Sequence, residues 1–106
     1  MKHIKPPYYD YALYMWRCYV RYRDGLPADA SRVMIENWGI CDELLNALTD
    51  EERDTLLRLS HSEPKTEKLI IRDYAVQNRI AEAHAWNVIR RCLRRTAVER
   101  GIWEMP

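Results

Sequence analysis

Glycine and proline are scarce in this chain, three and five among 106 residues, which leaves little material for tight turns. No stretch alternates apolar and polar residues in the way a half-buried strand does. A sandwich or barrel needs many turns and many such stretches, so both are excluded in favour of an all-α fold. Cysteine is scarce as well. Cys18, Cys41 and Cys92 are odd in number, far apart and without a CxxC pair. This excludes a disulfide scaffold and predicts three small hydrophobes in a reducing, cytoplasmic compartment. No uncharged apolar run approaches the roughly 20 residues of a membrane span. The opening MKHIKPPYYDYALYMW is too broken by prolines, tyrosines and Asp10 to read as a signal peptide.

The residues of catalysis are missing too. Histidine occurs only at positions 3, 61 and 84, with no HExxH and no His/Cys spacing for zinc. There is no glycine-rich phosphate loop. Asp50-Glu51-Glu52 is a helix start, where acidic side chains suit the dipole. The sequence therefore predicts no catalytic residue, no metal site, no cofactor and no enzyme.

What is present suits one helical domain spanning residues 1–106: 47% hydrophobic residues and a net charge of +1. The charge is unevenly placed. Residues 1–64 hold 8 Lys and Arg against 11 Asp and Glu, and residues 65–106 hold 9 against 5. A basic C-terminal third on an acidic body predicts a localised anion-binding face.

Along the chain, residues 1–7 read as a disordered lead-in and residues 8–23 as a first helix. That helix is apolar nearly all round: Tyr8, Ala12, Met15, Tyr19 and Tyr22 form one stripe, and Tyr9, Leu13, Trp16 and Val20 an adjacent one. Such a helix must be covered on more than one side. The cover is either the domain itself or a partner, since Tyr and Trp are enriched at interfaces. Tyr8, Tyr11, Met15, Trp16 and Tyr19 are the candidate interface residues, and a homodimer is one such partner. Asp24-Gly25-Leu26-Pro27 is a turn. Asp29 or Ser31 caps a second helix bearing Val33, Met34, Ile35 and Trp38, which Gly39 interrupts or kinks. A stripe of Ile40, Leu44, Leu45 and Leu48 follows. Thr49 and Glu52 have the spacing of a capping box for a third helix in which Leu56, Leu57 and Leu59 are apolar. After a polar loop at 61–65, Thr66 is the expected cap of a fourth helix running to about Gln77, with Leu69, Ile70, Tyr74 and Ala75 inward. A break at 78–81 leads to a fifth helix ending near Arg100, with Gly101 as its C-cap and Trp103 able to fold back on the core.

The fifth helix sorts its charges. At about 100° per residue, Ala85, Trp86, Ile89, Cys92, Leu93 and Thr96 share one apolar arc. His84, Asn87, Arg90, Arg91, Arg94 and Arg95 fill the opposite one. An arc of arginines with an amide and an imidazole can pair with phosphates and base edges, and a helix fits the major groove.

NALTDEERDTLLRL resembles the helix that opens sigma-factor region 4 domains, and IRDYAVQNRIAEAHAWNVIRRCLRRTAVERGI resembles the helix-turn-helix that follows it. Phage and mobile-element regulators of the ArpU/RinA-like kind share this plan. The resemblance covers about residues 44–101, and residues 1–43 form a separate aromatic-rich part without such a likeness. It implies an orthogonal helical bundle ending in a helix-turn-helix. Ala75 matches the small residue where the two helices cross, Ile80 the apolar turn position, Ala81 the N-cap, and Ala85 and Ile89 the buried positions. Glu82, Ala83, His84, Asn87, Arg90 and Arg91 match the exposed first turns. Two departures stand out. The turn has no glycine, so Asn78 or Arg79 must supply any left-handed residue, and Asn tolerates that best. Ala81 forgoes about 1 kcal/mol relative to Ser or Thr.

The resemblance implies a small DNA-binding transcriptional regulator with residues 82–100 as recognition helix. Its partners would be double-stranded DNA and, by the same likeness, RNA polymerase. By residue chemistry, Asn87 suits adenine and Arg90 or Arg91 guanine, while Arg94, Arg95, Lys68 and Arg72 suit phosphate. The alternative is a helical protein-interaction module that works through the aromatic surface of residues 8–22.

Overall fold

The first helix, α1 (Tyr9–Arg21), is the axis on which the other helices assemble. Its Tyr9, Ala12, Leu13, Met15, Trp16 and Tyr19 are all buried, and it packs against the second, third and fifth helices. The computed structural model describes residues 6–103, and residues 1–5 of the lead-in expected at 1–7 lie outside them. The remaining elements are α2 (Arg32–Leu45), α3 (Asp50–His61), a 3-10 turn (Pro64–Thr66), α4 (Glu67–Gln77) and α5 (Glu82–Arg100). The fold is an all-α bundle, with no strand among the described residues. No helix among them is long and apolar enough to cross a membrane.

Local chemistry sets most boundaries. The Ser31 hydroxyl accepts from Met34 N–H at 3.1 Å and starts α2. Thr49 and Glu52 form the reciprocal capping box of α3, at 3.1 and 3.0 Å. The α5 helix ends on Gly101 in a left-handed conformation (φ 82°), with Ile102 N–H bonded to Ala97 C=O. Beyond it, the Trp103 ring folds back to 5.0 Å from that of Tyr8.

Three expectations are corrected. Gly39 does not interrupt α2, which runs through it without a break. One exposed glycine lowers helix propensity by about 1 kcal/mol, less than the burial of Asn37, Cys41, Leu44 and Leu45 on the same helix returns. Within α2, Val33 and Ile35 are exposed. Thr66 does not cap α4 with its side chain. It has helical backbone angles, and its hydroxyl donates to Glu63 C=O at 2.8 Å, because the 3-10 turn feeds directly into the helix. Leu69 points outward at 59% exposure, and Ile71 is the buried residue at 0%. The inward row is Glu67, Ile71, Tyr74 and Ala75, a stripe spaced i, i+4, i+7 and i+8. Leu69, about 200° from Glu67, cannot join it.

The expected aromatic interface is also corrected. Tyr8, Met15, Trp16 and Tyr19 are core residues, with Trp16 only 1% exposed. The helices flanking α1 take up most of both apolar stripes, with Val20 and Tyr22 half-buried at their C-terminal ends. Tyr11 alone of the five reaches the surface, at 36%, and its hydroxyl accepts from Asn37 Nδ2 at 3.2 Å.

Polar bonds fix how the helices meet. The buried Trp16 Nε1–H donates to Thr96 Oγ1 at 2.9 Å, and that hydroxyl donates to Cys92 C=O at 2.8 Å. Arg53 of α3 donates to the carbonyls of Leu45 and Leu48, satisfying acceptors at and just beyond the α2 C-terminus. Arg17 pairs at 3.0 Å with Glu67, a carboxylate buried in the first turn of α4. Arg100 closes the far end, donating to Asn37 Oδ1 at 2.6 Å and standing 3.4 Å from Glu36.

Two substitutions test this packing. Thr96→Val keeps the shape but strands the Trp16 N–H, and should cost about 1–3 kcal/mol in urea unfolding. Gly39→Ala places a methyl where nothing beyond its chain neighbours and its own helix backbone lies within 4 Å, and should raise stability by about 0.5–1 kcal/mol in the same assay.

Candidate nucleic-acid interface

The turn between α4 and α5 is built by backbone bonds that leave one residue left-handed. Ile80 N–H reaches Ala75 C=O at 3.0 Å and Arg79 N–H reaches Val76 C=O at 3.2 Å. This is the six-to-one and five-to-two pair of a Schellman motif. The left-handed residue is Arg79 (φ 53°) and not Asn78, which keeps φ −96°. Asn78 is one position too early for the motif, and its Nδ2 donates to Tyr74 C=O at 2.9 Å. Holding arginine there costs about 1–2 kcal/mol. Ala81 then starts α5 with extended backbone and no side-chain cap.

The inner arc of α5 is set by burial of Ala85, Val88, Ile89, Cys92, Leu93, Thr96 and Ala97. Val88 and Ala97 join the arc expected from the sequence, while Trp86 is only half-buried. On the outer arc, Ala83, His84, Asn87, Arg91 and Arg95 are exposed. Lys68 and Arg72 are exposed on α4. Arg72 Nε lies 3.7 Å from Glu82 Oε2, an exposed pairing loose enough to exchange for a phosphate.

Two arginines differ from expectation. Arg90 is half-buried at the edge facing α1. Its charge, with those of Glu67, Asp10 and Arg17, acts on the Tyr9 hydroxyl, and it is engaged within the protein. That removes it from the base-reading pair. Arg94 is half-buried, and its Nε is buried without a hydrogen-bond partner. The structure adds Arg79, exposed at the turn and beside the start of α5. The sequence placed it only as a turn residue.

Acidic residues hem one flank of the arc. Arg91 and Arg95 wall a depression of about 130 Å³ with Leu48, Glu52 and Cys92. Arg95 shares a larger one, about 290 Å³, with Glu43 and Glu99. The Cys92 Sγ sits 3.8 Å from Glu52 Oε2. Burial, and then the neighbouring Glu52 charge, pushes this thiol up to about 12. Among the described residues no three His, Cys, Asp or Glu side chains gather as a metal site would require. The chain matches no protein-family model, no curated protein and no solved structure.

The buried acids predict alkaline sensitivity. Cys92 rises from 9.0 to about 12. Tyr19, buried and donating to Asp42 Oδ1 at 2.7 Å, rises from 10.0 to about 12. Both groups hold their protons more tightly when folded, so the unfolded chain sheds them first as pH rises. Their contribution is intact below about pH 9 and is lost between about 9 and 12. The thermal midpoint, followed by circular dichroism, should fall across that window, and by less in Cys92→Ala than in the parent.

Proposed function

We propose that this protein is a small DNA-binding transcriptional regulator of the phage or mobile-element type, with α5 as its recognition helix. One observation carries the reading: a 19-residue helix whose inner arc is wholly core presents Ala83, His84, Asn87, Arg91 and Arg95 along its outer arc. The short left-handed turn from α4 precedes it, as in a helix-turn-helix. A cytoplasmic location goes with this role.

In the proposed complex the first turns of α5 enter the major groove. Asn87 pairs bidentately with adenine, and Arg91 reads guanine in place of the engaged Arg90. Arg94, Arg95, Lys68 and Arg72 bind phosphate and set the register, and Arg79 extends that set at the turn. So few phosphate contacts bind weakly at physiological salt. A second DNA-bound protein such as RNA polymerase, or a second copy of the chain, would supply the missing affinity.

The test is a fluorescence-anisotropy titration at about 50 and 200 mM salt, using DNA flanking the protein's own gene and a scrambled duplex. The parent should prefer the native duplex. Arg91→Ala/Arg94→Ala/Arg95→Ala should weaken binding and flatten the salt dependence by about one power of salt per phosphate contact removed. Asn87→Ala should erode the preference for native DNA by about 1–3 kcal/mol. Absence of binding at about 50 mM salt refutes the reading.

A further inference from the structure

The outer arc of α5 narrows to a single row of side chains whose chemistry changes along the helix. Six residues of α5 are exposed: Ala83, His84, Asn87, Arg91, Arg95 and Glu99. All but His84 are spaced four apart, which makes them one shallow ridge of the helix. Each step along the ridge rises about 6 Å and turns about 40°. Trp86, Arg90 and Arg94 are only half-buried and do not stand out beside it. One ridge side chain per turn therefore meets solvent. Its type passes from methyl to amide to guanidinium, and at Glu99 to carboxylate.

Direction divides these residues. Ala83, Asn87 and Arg91 fall within about 80° of one another around α5, so all three can face the floor of one groove. His84 and Arg95 fall within about 20° of each other, some 60–80° to one side of Asn87. Glu82 falls about 140° to the other side, where Arg72 of α4 stands 3.7 Å from it. Donor groups thus flank the row on both sides, as two phosphate strands flank the floor of a major groove. Glu52 walls one depression with Arg91, and its Oε1 is held by the capping box, accepting from Thr49 N–H at 3.0 Å. Glu99 and Glu43 share a depression with Arg95, and their carboxylates repel phosphate beyond it. The part of the row open to DNA therefore runs from Ala83 to Arg95, about 18 Å of helix.

This step rests on the DNA-binding reading of α5: we infer that Ala83, Asn87 and Arg91 read three base pairs in a fixed order, a thymine methyl, an adenine and a guanine. Ala83 offers only a methyl group, and the apolar partner in a major groove is the C5-methyl of thymine. Asn87 matches the N6–H and N7 of adenine, and Arg91 the O6 and N7 of guanine. The rise of about 6 Å between successive readers covers roughly one to two base-pair steps of about 3.4 Å. At most one unread pair therefore separates neighbours. Ala83 is a specificity-determining residue although its side chain has no polar atom, and His84 joins Arg95 on one phosphate strand.

The test is a binding selection by the whole chain at about 50 mM salt from duplexes with a randomised core, followed by anisotropy on a selected duplex. Selected duplexes should share an A·T pair, a second A·T pair and a G·C pair in that order, with no more than one free pair between neighbours. Replacing the thymine of the outer A·T pair by deoxyuridine removes only the methyl, and should weaken the parent about fourfold. Ala83→Gly should bind the thymine and deoxyuridine duplexes equally, a ratio that a loss of helix stability does not move. Asn87→Ala should lose about tenfold in preference at the second pair alone, and Arg91→Ala the same at the third alone. His84→Ala should weaken every duplex alike. A different order, no selected order, a deoxyuridine effect that persists in Ala83→Gly, or a base-specific loss in His84→Ala overturns the inference and leaves the DNA-binding reading standing. Absence of binding to any duplex at that salt overturns both.

Discussion

The burial of α1 is the constraint on which the rest of this structure depends. A helix apolar nearly all round cannot stay in water, and three helices close over it. The closure is specific because the indole N–H of Trp16 enters the core and must find an acceptor there. Thr96 supplies it, and an unmet buried donor would cost more than most single contacts contribute. That bond fixes the rotation of α5 about its own axis. The outward direction of Asn87 and Arg91 is a consequence of where Trp16 sits, some 80 residues earlier in the chain.

Much of this fold is legible in the sequence wherever one residue and its near neighbours decide the outcome. The Thr49/Glu52 box, the Ser31 cap, the Gly101 stop and the division of α5 into two arcs are all local. Where two distant elements compete for one surface, the sequence is silent. Leu69 and Ile71 are equally apolar, and only the packing of α4 against its neighbours chooses between them. The aromatic residues of α1 suit a core and an interface equally well, and the choice depends on how many helices surround them. Arg90 and Arg91 are adjacent and chemically identical. One turns toward Tyr9 and Glu67 and the other toward solvent, a distinction of about 100° that no composition reveals.

The charges of the outer arc are tempered. Glu43, Glu52 and Glu99 stand along one flank of Arg91 and Arg95, and Glu82 stands beside Arg72. Such an arc attracts polyanions less than a bare row of arginines and penalises wrongly placed ones more, because each carboxylate repels any phosphate out of register. In the proposed DNA complex, such an arc would trade affinity for discrimination.

The bond between Trp16 and Thr96 also sets a clock. Synthesis proceeds at about 5–20 residues per second, so the acceptor for the Trp16 N–H is made roughly 4–16 seconds after its donor. Through that interval α1 exists without the helix that completes its cover. Interrupted chains would present its aromatic residues to chaperones and proteases, whereas finished chains would hide them within one cooperative step. The aromatic residues that α1 keeps in the core therefore lack their full cover until translation has passed Thr96.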